Sequence, residues 1–228
     1  QGEMKPDLQV MGQLCYIGIP MGLQYSVTAI GSVILQMSVN SLGSDAIAAV
    51  TASSKVSMFF CCPFDALGTS MATYGGQNVG AKKLDRLDSG IKASMTVGCI
   101  YSVFALLILC LFGNNLTTMF VSRSETGIIS DARLCMVVNA AFYAALTGVN
   151  VYRFMIQGMG FSSFAIFSGV FEMAARIIAA VALVPKFGIY GVAFASPLAW
   201  VLADMFLIPA YRHVNNKLKL IIGTDERS

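Results

Sequence analysis

The chain has 228 residues, 56% hydrophobic and 12% charged, with a net charge of +3 and a mean hydropathy of +0.70; a soluble domain carries roughly 25% charged residues. Residues 8–44 and 93–122 contain no Asp, Glu, Lys or Arg, and such runs exceed the ~20 apolar residues of a bilayer span, which excludes a soluble core and makes the lipid bilayer the first partner. The basic residues gather at the ends of apolar segments and form no aromatic-interleaved stripe, so nucleic acid is excluded as a partner.

In chain order, six helices are expected. Gln1 is followed by no cleavable signal sequence before the first apolar run, so the sequence reads as beginning in a loop, with residues 1–16 as a linker. The first helix runs from Ile17 to Ser41, with Pro20 in its first turn, where a missing N–H costs little. The second spans Asp45 to Asn78 and should kink at Pro63. The third covers Ile91 to Phe112 and the fourth Asp131 to Gln157. The fifth runs from Ser163 to Val184, ended by Pro185, and the sixth from Ile189 to Tyr211, interrupted by Pro197. Residues 17–212 thus form a six-helix bundle, and 213–228 a tail. The linkers Asn40–Ser44 and Gly158–Ser162 are short and turn-rich.

An even number of spans puts both ends on one side. That side holds Lys5, Lys82, Lys83, Arg86, Lys92, Arg212, Lys217, Lys219 and Arg227, against Arg123, Arg133 and Lys186 on the other. The bias predicts cytoplasmic termini in a multi-pass protein of the cell membrane.

Ionisable residues within spans are costly and mark candidate function. Glu172 and Arg176 lie four residues apart on one helix face, Glu first. They read either as a self-neutralising structural pair or as part of a cavity or gating network. Lys55 and Asp65 share the second helix but stand about 15 Å apart along it, so each needs water or a partner elsewhere. Arg153 lies near the end of the fourth helix, with Asp204 as a suggested partner. Gln24, Thr28, Gln36 and Asn40 recur at intervals of four or eight and suggest one polar face on the first helix. The cavity-lining candidates are therefore Gln24, Thr28, Lys55, Asp65, Glu172 and Arg176.

Six cysteines (Cys15, Cys61, Cys62, Cys99, Cys110 and Cys135) lie in or beside apolar runs without C-x-x-C or Cys/His spacing, so they read as small buried hydrophobes. No metal ligands are expected. Nor is a catalytic set: the one His, His213, follows the last span, and G-x-S-x-G and H-E-x-x-H are absent. Thirteen Met suit an adaptable apolar surface.

One stretch ends an apolar segment and turns abruptly basic: Gln77-Asn78-Val79-Gly80-Ala81-Lys82-Lys83-Leu84-Asp85-Arg86. Its pattern, in Gln77, Asn78, Gly80, Ala81 and Arg86, resembles the cytoplasmic loop after the eighth helix of MATE (multidrug and toxic compound extrusion) transporters. Further stretches resemble the same family in the same order. They are Gly18-Ile19-Pro20-Met21-Gly22-Leu23-Gln24, Leu42-Gly43-Ser44-Asp45-Ala46-Ile47-Ala48-Ala49, Arg153-Phe154-Met155-Ile156-Gln157-Gly158-Met159-Gly160, Glu172-Met173-Ala174-Ala175-Arg176, and Gly191 with Ala195, Pro197 and Trp200. The resemblance covers residues 9–212 and is nearest in flavour to the DinF-like branch.

It implies an all-α, polytopic membrane protein in which this chain is the C-terminal lobe, helices seven to twelve, of a twelve-helix transporter. The N-terminal six-helix lobe would be its partner. The implied activity is multidrug (xenobiotic) efflux of organic cations or other amphipathic small molecules, by H⁺- or Na⁺-coupled antiport with alternating access. Some branches carry an acid eight residues after the helix-seven Pro and another in helix ten. The corresponding positions here are Thr28 and Leu146, so that ion site is not carried over. DinF-like members place the coupling Asp in the first helix of the N-terminal lobe. No cofactor is implied beyond the coupling ion. The alternative within the superfamily is a lipid-linked oligosaccharide flippase, whose cavity needs several cations; Lys55, Arg153 and Arg176 are the spanning candidates.

Overall fold

A computed structural model describes residues 8–225, and the described residues are helices joined by short turns. They are α1 (Leu8–Asn40), α2 (Ser44–Gly80), α3 (Asp85–Thr117), α4 (Thr126–Ala141), α5 (Tyr143–Gly158) and α6 (Ser163–Ile178). A π-turn (Ala179–Leu183), a short α7 (Val184–Phe187) and α8 (Ile189–Asp225) follow. Five segments are long and apolar enough to cross a bilayer alone: α1, α2, α3, α6 through α7, and α8. α4 and α5 together pass the same test and make a sixth span when counted as one, bent by 52° at Phe142. The chain is thus the expected all-α, six-span membrane bundle.

Several expected boundaries move. α1 begins at Leu8 rather than Ile17: Leu8 to Tyr16 contains no proline, and its one glycine, Gly12, costs the helix only about 1 kcal/mol. Residues 1–7 lie outside the described residues. α2 is unbroken through Pro63, and α8 is unbroken through Pro197 and Pro209; neighbouring helices re-satisfy a backbone that proline disturbs. α8 also continues past Tyr211 to Asp225. The reason is packing: Val214 and Leu218 are buried in the core that contains Leu87, Ile156 and Leu207.

The fourth helix was expected to be continuous, yet it breaks at Phe142, where no Pro or Gly stands. Pro185 does not end the fifth span but opens α7, where its missing N–H is no loss. The preceding π-turn has a local cause and remedy. Val184 N–H bonds to the carbonyl of Ala179, and Pro185 has no N–H to offer the next carbonyl, that of Ala180. The Ser38 hydroxyl donates to Ala180 O instead, at 3.2 Å.

With lipid as apolar as the side chains, helices associate through close packing rather than water exclusion. Small residues provide it. A Cβ on Gly158 would strike the Ala72 backbone, on Gly68 the Phe154 ring, and on Gly31 the Met173 backbone. These contacts lock α5 to α2 and α1 to α6. A second core forms around Phe64, whose ring meets Tyr101 at 5.1 Å and Tyr143 at 5.3 Å, edge-on. The cysteines are free, but only Cys135 is buried; Cys15 and Cys62 are exposed, contrary to the uniform burial expected.

The Gln77–Arg86 stretch is a helix exit. Ala81 N–H bonds to Gln77 O at 3.0 Å and Lys83 N–H to Asn78 O at 2.8 Å, with Lys82 at φ 56°; this closes the helix in the manner of a Schellman turn. Asn78 is buried and donates to Tyr74 O at 2.8 Å. Gln77, Gly80, Ala81 and Arg86 are exposed. Tyr74 ties the turn to α3 by donating to Arg86 O at 3.0 Å, and Tyr211 OH brings in α8 by donating to Asp88 at 2.7 Å.

Candidate functional site

The surfaces of the bundle differ in chemistry. The outward residues of α3 are Val97, Ile100, Val103, Phe104, Leu107 and Leu111, as suits a face toward lipid. On α2 the exposed residues Thr51, Ser54, Lys55, Cys62, Asp65, Thr69, Ser70 and Thr73 recur every three or four positions, with Met58 and Phe59 among them. A neighbouring stripe on α1 carries Ser26, Ser32, Gln36 and Asn40, with Val33 and Met37 exposed beside them. Lys55 and Asp65 in hydrocarbon would each cost several kcal/mol, of order 3 on insertion scales. This face therefore suits water or another lobe, with apolar Met58 and Phe59 between the two charges.

Lys55 makes no ion pair among the described residues, while Asp65 accepts a hydrogen bond from Asn150 Nδ2 at 3.3 Å. The α1 polar residues do not share one face. Gln24 is turned inward and accepts from Gln157 Nε2 at 3.1 Å, whereas Gln36 points outward and donates to Asn40 at 3.0 Å. The cause is angular: at 100° per residue, positions 24 and 40 lie almost on opposite sides of the helix.

Behind this face lies a buried polar network joining α1, α5 and α6. Arg153 and Glu172, respectively 8% and 4% exposed, form an ion pair through Arg153 Nη2 and Glu172 Oε1. Arg153 Nε also donates to Ser168 Oγ at 3.2 Å. Glu172 Oε2 stands 3.6 Å from Arg176 Nη2, so the four-residue spacing does pair them, but Glu172 is shared. Arg176 Nη1 donates to the Thr28 carbonyl at 3.3 Å. The suggested Arg153–Asp204 pair is not formed. Glu172 takes Arg153, and Asp204 abuts Gly148 on α5, with Oδ1 unpartnered among the described residues.

The arrangement thus separates the six cavity candidates. Lys55 and Asp65 lie on the open α1–α2 face, while Gln24, Thr28, Glu172 and Arg176 belong to the network behind it. Asn150 and Gln157 were not named as site residues, and Arg153 was named only as a partner for Asp204 and as a cation of the flippase alternative. Their spacing of three and four, within an otherwise apolar helix, was a readable sign of one polar face on α5.

The MatE family model matches residues 20–182. Over 134 residues the chain is 24% identical to a probable multidrug resistance protein of Bacillus subtilis, YoeA, covering 59% of this chain and 29% of that protein. Among solved structures, the Vibrio cholerae MATE transporter VcmN in its bent form superposes with a TM-score of 0.84 at 17% identity, over 96% of this chain and 50% of that one. A MOP superfamily transporter from Pyrococcus furiosus superposes with a TM-score of 0.76 at 20% identity, over 86% and 43%. The chain matches under a third of the curated relative and about half of each solved transporter.

Proposed function

The chain belongs to the MATE family of transporters, and on that premise we propose that it is the C-terminal lobe of a multidrug exporter. The carrying observation is the exposed polar stripe of α2, with Lys55 and Asp65 at membrane depth. Such a stripe is tolerated where it lines water or faces protein, and a second six-helix lobe opposite it would enclose a cleft. The alternation of Lys55, Met58, Phe59 and Asp65 gives that cleft both apolar contact and charges of each sign. Amphipathic molecules, organic cations among them, are the cargo that such a wall suits.

In this reading the basic end of the bundle is cytoplasmic and the protein sits in the cell membrane. Residues 17–212 are the rocking unit, which α1 extends back to Leu8 and α8 forward to Asp225. Coupling to H⁺ or Na⁺ is assigned to the N-terminal lobe, in keeping with a DinF-like resemblance. That the matched curated relative is called a multidrug resistance protein favours export of drugs over flipping of lipid-linked sugars.

The test is dye efflux from cells or vesicles containing the complete protein. Efflux should run while a proton or sodium gradient is maintained and stop when ionophores collapse both. Undiminished efflux without either gradient overturns the antiport assignment.

A further inference from the structure

A second polar space lies inside the lobe, toward the end opposite the basic turn. It is a cavity of about 210 Å³ between α1, α2, α4, α6 and α8. Its polar lining comprises Ser32 and Gln36 of α1, Ser53 and Ser54 of α2, Asn139 of α4, Arg176 of α6 and Ser196 of α8. Ser32, Gln36 and Ser54 are exposed, so the cavity opens on the α1–α2 face. It reaches inward to Arg176, whose side chain is 11% exposed.

Charge decides what this cavity suits. Two guanidinium groups, Arg153 and Arg176, share one carboxylate, Glu172. Arg153 takes Oε1. Arg176 has only the 3.6 Å approach to Oε2, beyond hydrogen-bond length, and one bond to the Thr28 carbonyl. Asp204 lies against Gly148 of α5 and is not among the residues that line the cavity. Arg176 thus keeps unused N–H donors and an incompletely balanced charge, and a buried charge is costly until compensated.

Unsatisfied groups surround it. Asn139 Oδ1 and Thr28 Oγ1 are buried and unpartnered among the described residues, and an amide turned by half a rotation offers N–H in place of oxygen. The break of the fourth span at Phe142 falls three residues beyond Asn139. Irregular backbone at membrane depth is tolerated where it is buried in protein or lines a cavity.

We infer that this pocket binds the carboxylate group of a small organic acid or zwitterion, held by Arg176 and the hydroxyls of Ser54 and Ser196, since those of Ser32 and Ser53 already donate to backbone carbonyls. A guanidinium fork matches a carboxylate with two parallel N–H bonds. The volume falls below the roughly 300–1,000 Å³ of pockets that enclose a whole drug. A head group enters, and the rest of the molecule lies along the α1–α2 face. The inference deepens the export reading and rests on it only for the ligand's being cargo. A cation here would meet Arg176 unfavourably, so cations are confined to the open face near Asp65.

Calorimetry on the complete protein in detergent tests this without any ion gradient, and so independently of efflux. The probes are benzoate, benzamide and benzylamine, with sodium chloride as competitor at equal ionic strength. Benzoate should bind at least tenfold tighter than the other two and resist displacement by equimolar chloride. Arg176→Gln should weaken benzoate at least tenfold. Ser54→Phe, which plugs the mouth and leaves the charges in place, should do the same with an unchanged melting temperature. Equal binding of the three probes, displacement by chloride as readily as by benzoate, or full benzoate affinity in both variants overturns the inference.

Discussion

At the scale of single residues, Glu172 is the group on which the buried network depends. It neutralises Arg153 directly and Arg176 in part, so its removal strands two cations in a medium that solvates neither. Breaking a buried pair by deleting one partner costs about 3–5 kcal/mol. Glu172→Gln should therefore destabilise the detergent-solubilised protein by at least about 3 kcal/mol. Arg176→Gln should cost only about 1 kcal/mol, because Glu172 keeps Arg153. Chemical unfolding of both variants checks the order; an equal or reversed loss would mean that Glu172 serves Arg176 first. The Glu172–Arg176 pair was legible from its spacing. That Glu172 also holds Arg153 was not, because that contact joins α5 to α6 and depends on how the two helices rotate against each other. The division of the α1 polar residues between inside and outside could have been read from helical angles alone.

At the scale of elements, glycine contacts set the helix spacing. Gly158 lies so close to the Ala72 backbone that a single added carbon forces α5 from α2, whereas Gly80 has open space around it. Gly158→Ala should cost at least about 2 kcal/mol, in the range for overpacked interiors. Gly80→Ala should stay within about 0.5 kcal/mol, as surface changes do. Thermal or urea unfolding of the pair gives the comparison, and equal effects would contradict the close approach of α2 and α5. The number and order of spans were legible because charge-free runs and turn-rich linkers are local signals. The irregularities were not. The bend at Phe142 has no Pro or Gly to announce it, and Pro197 announces an interruption that does not occur. In each case the surrounding helices decide where backbone groups find partners. The π-turn before Pro185, with Ser38 donating to Ala180 O from a different helix, shows the same dependence.

At the scale of the whole molecule, the account rests on a difference between two faces of one bundle. One is apolar and suits lipid; the other, formed by α1 and α2, is polar at membrane depth and opens into the Arg176 pocket. In the proposed reading, an export cleft closed by a second lobe accounts for the exposure of Lys55 and Asp65 there, with the buried network behind. Cysteine accessibility in membranes tests this most directly. In a background where the six native cysteines are replaced, single cysteines at Ser54 and Thr69 on α2 would be compared with Val103 and Leu107 on α3, using a water-soluble maleimide. The account predicts labelling at the two α2 positions and none at the two α3 positions. Protection of the α2 pair with labelling of the α3 pair, or equal labelling of all four, would contradict it.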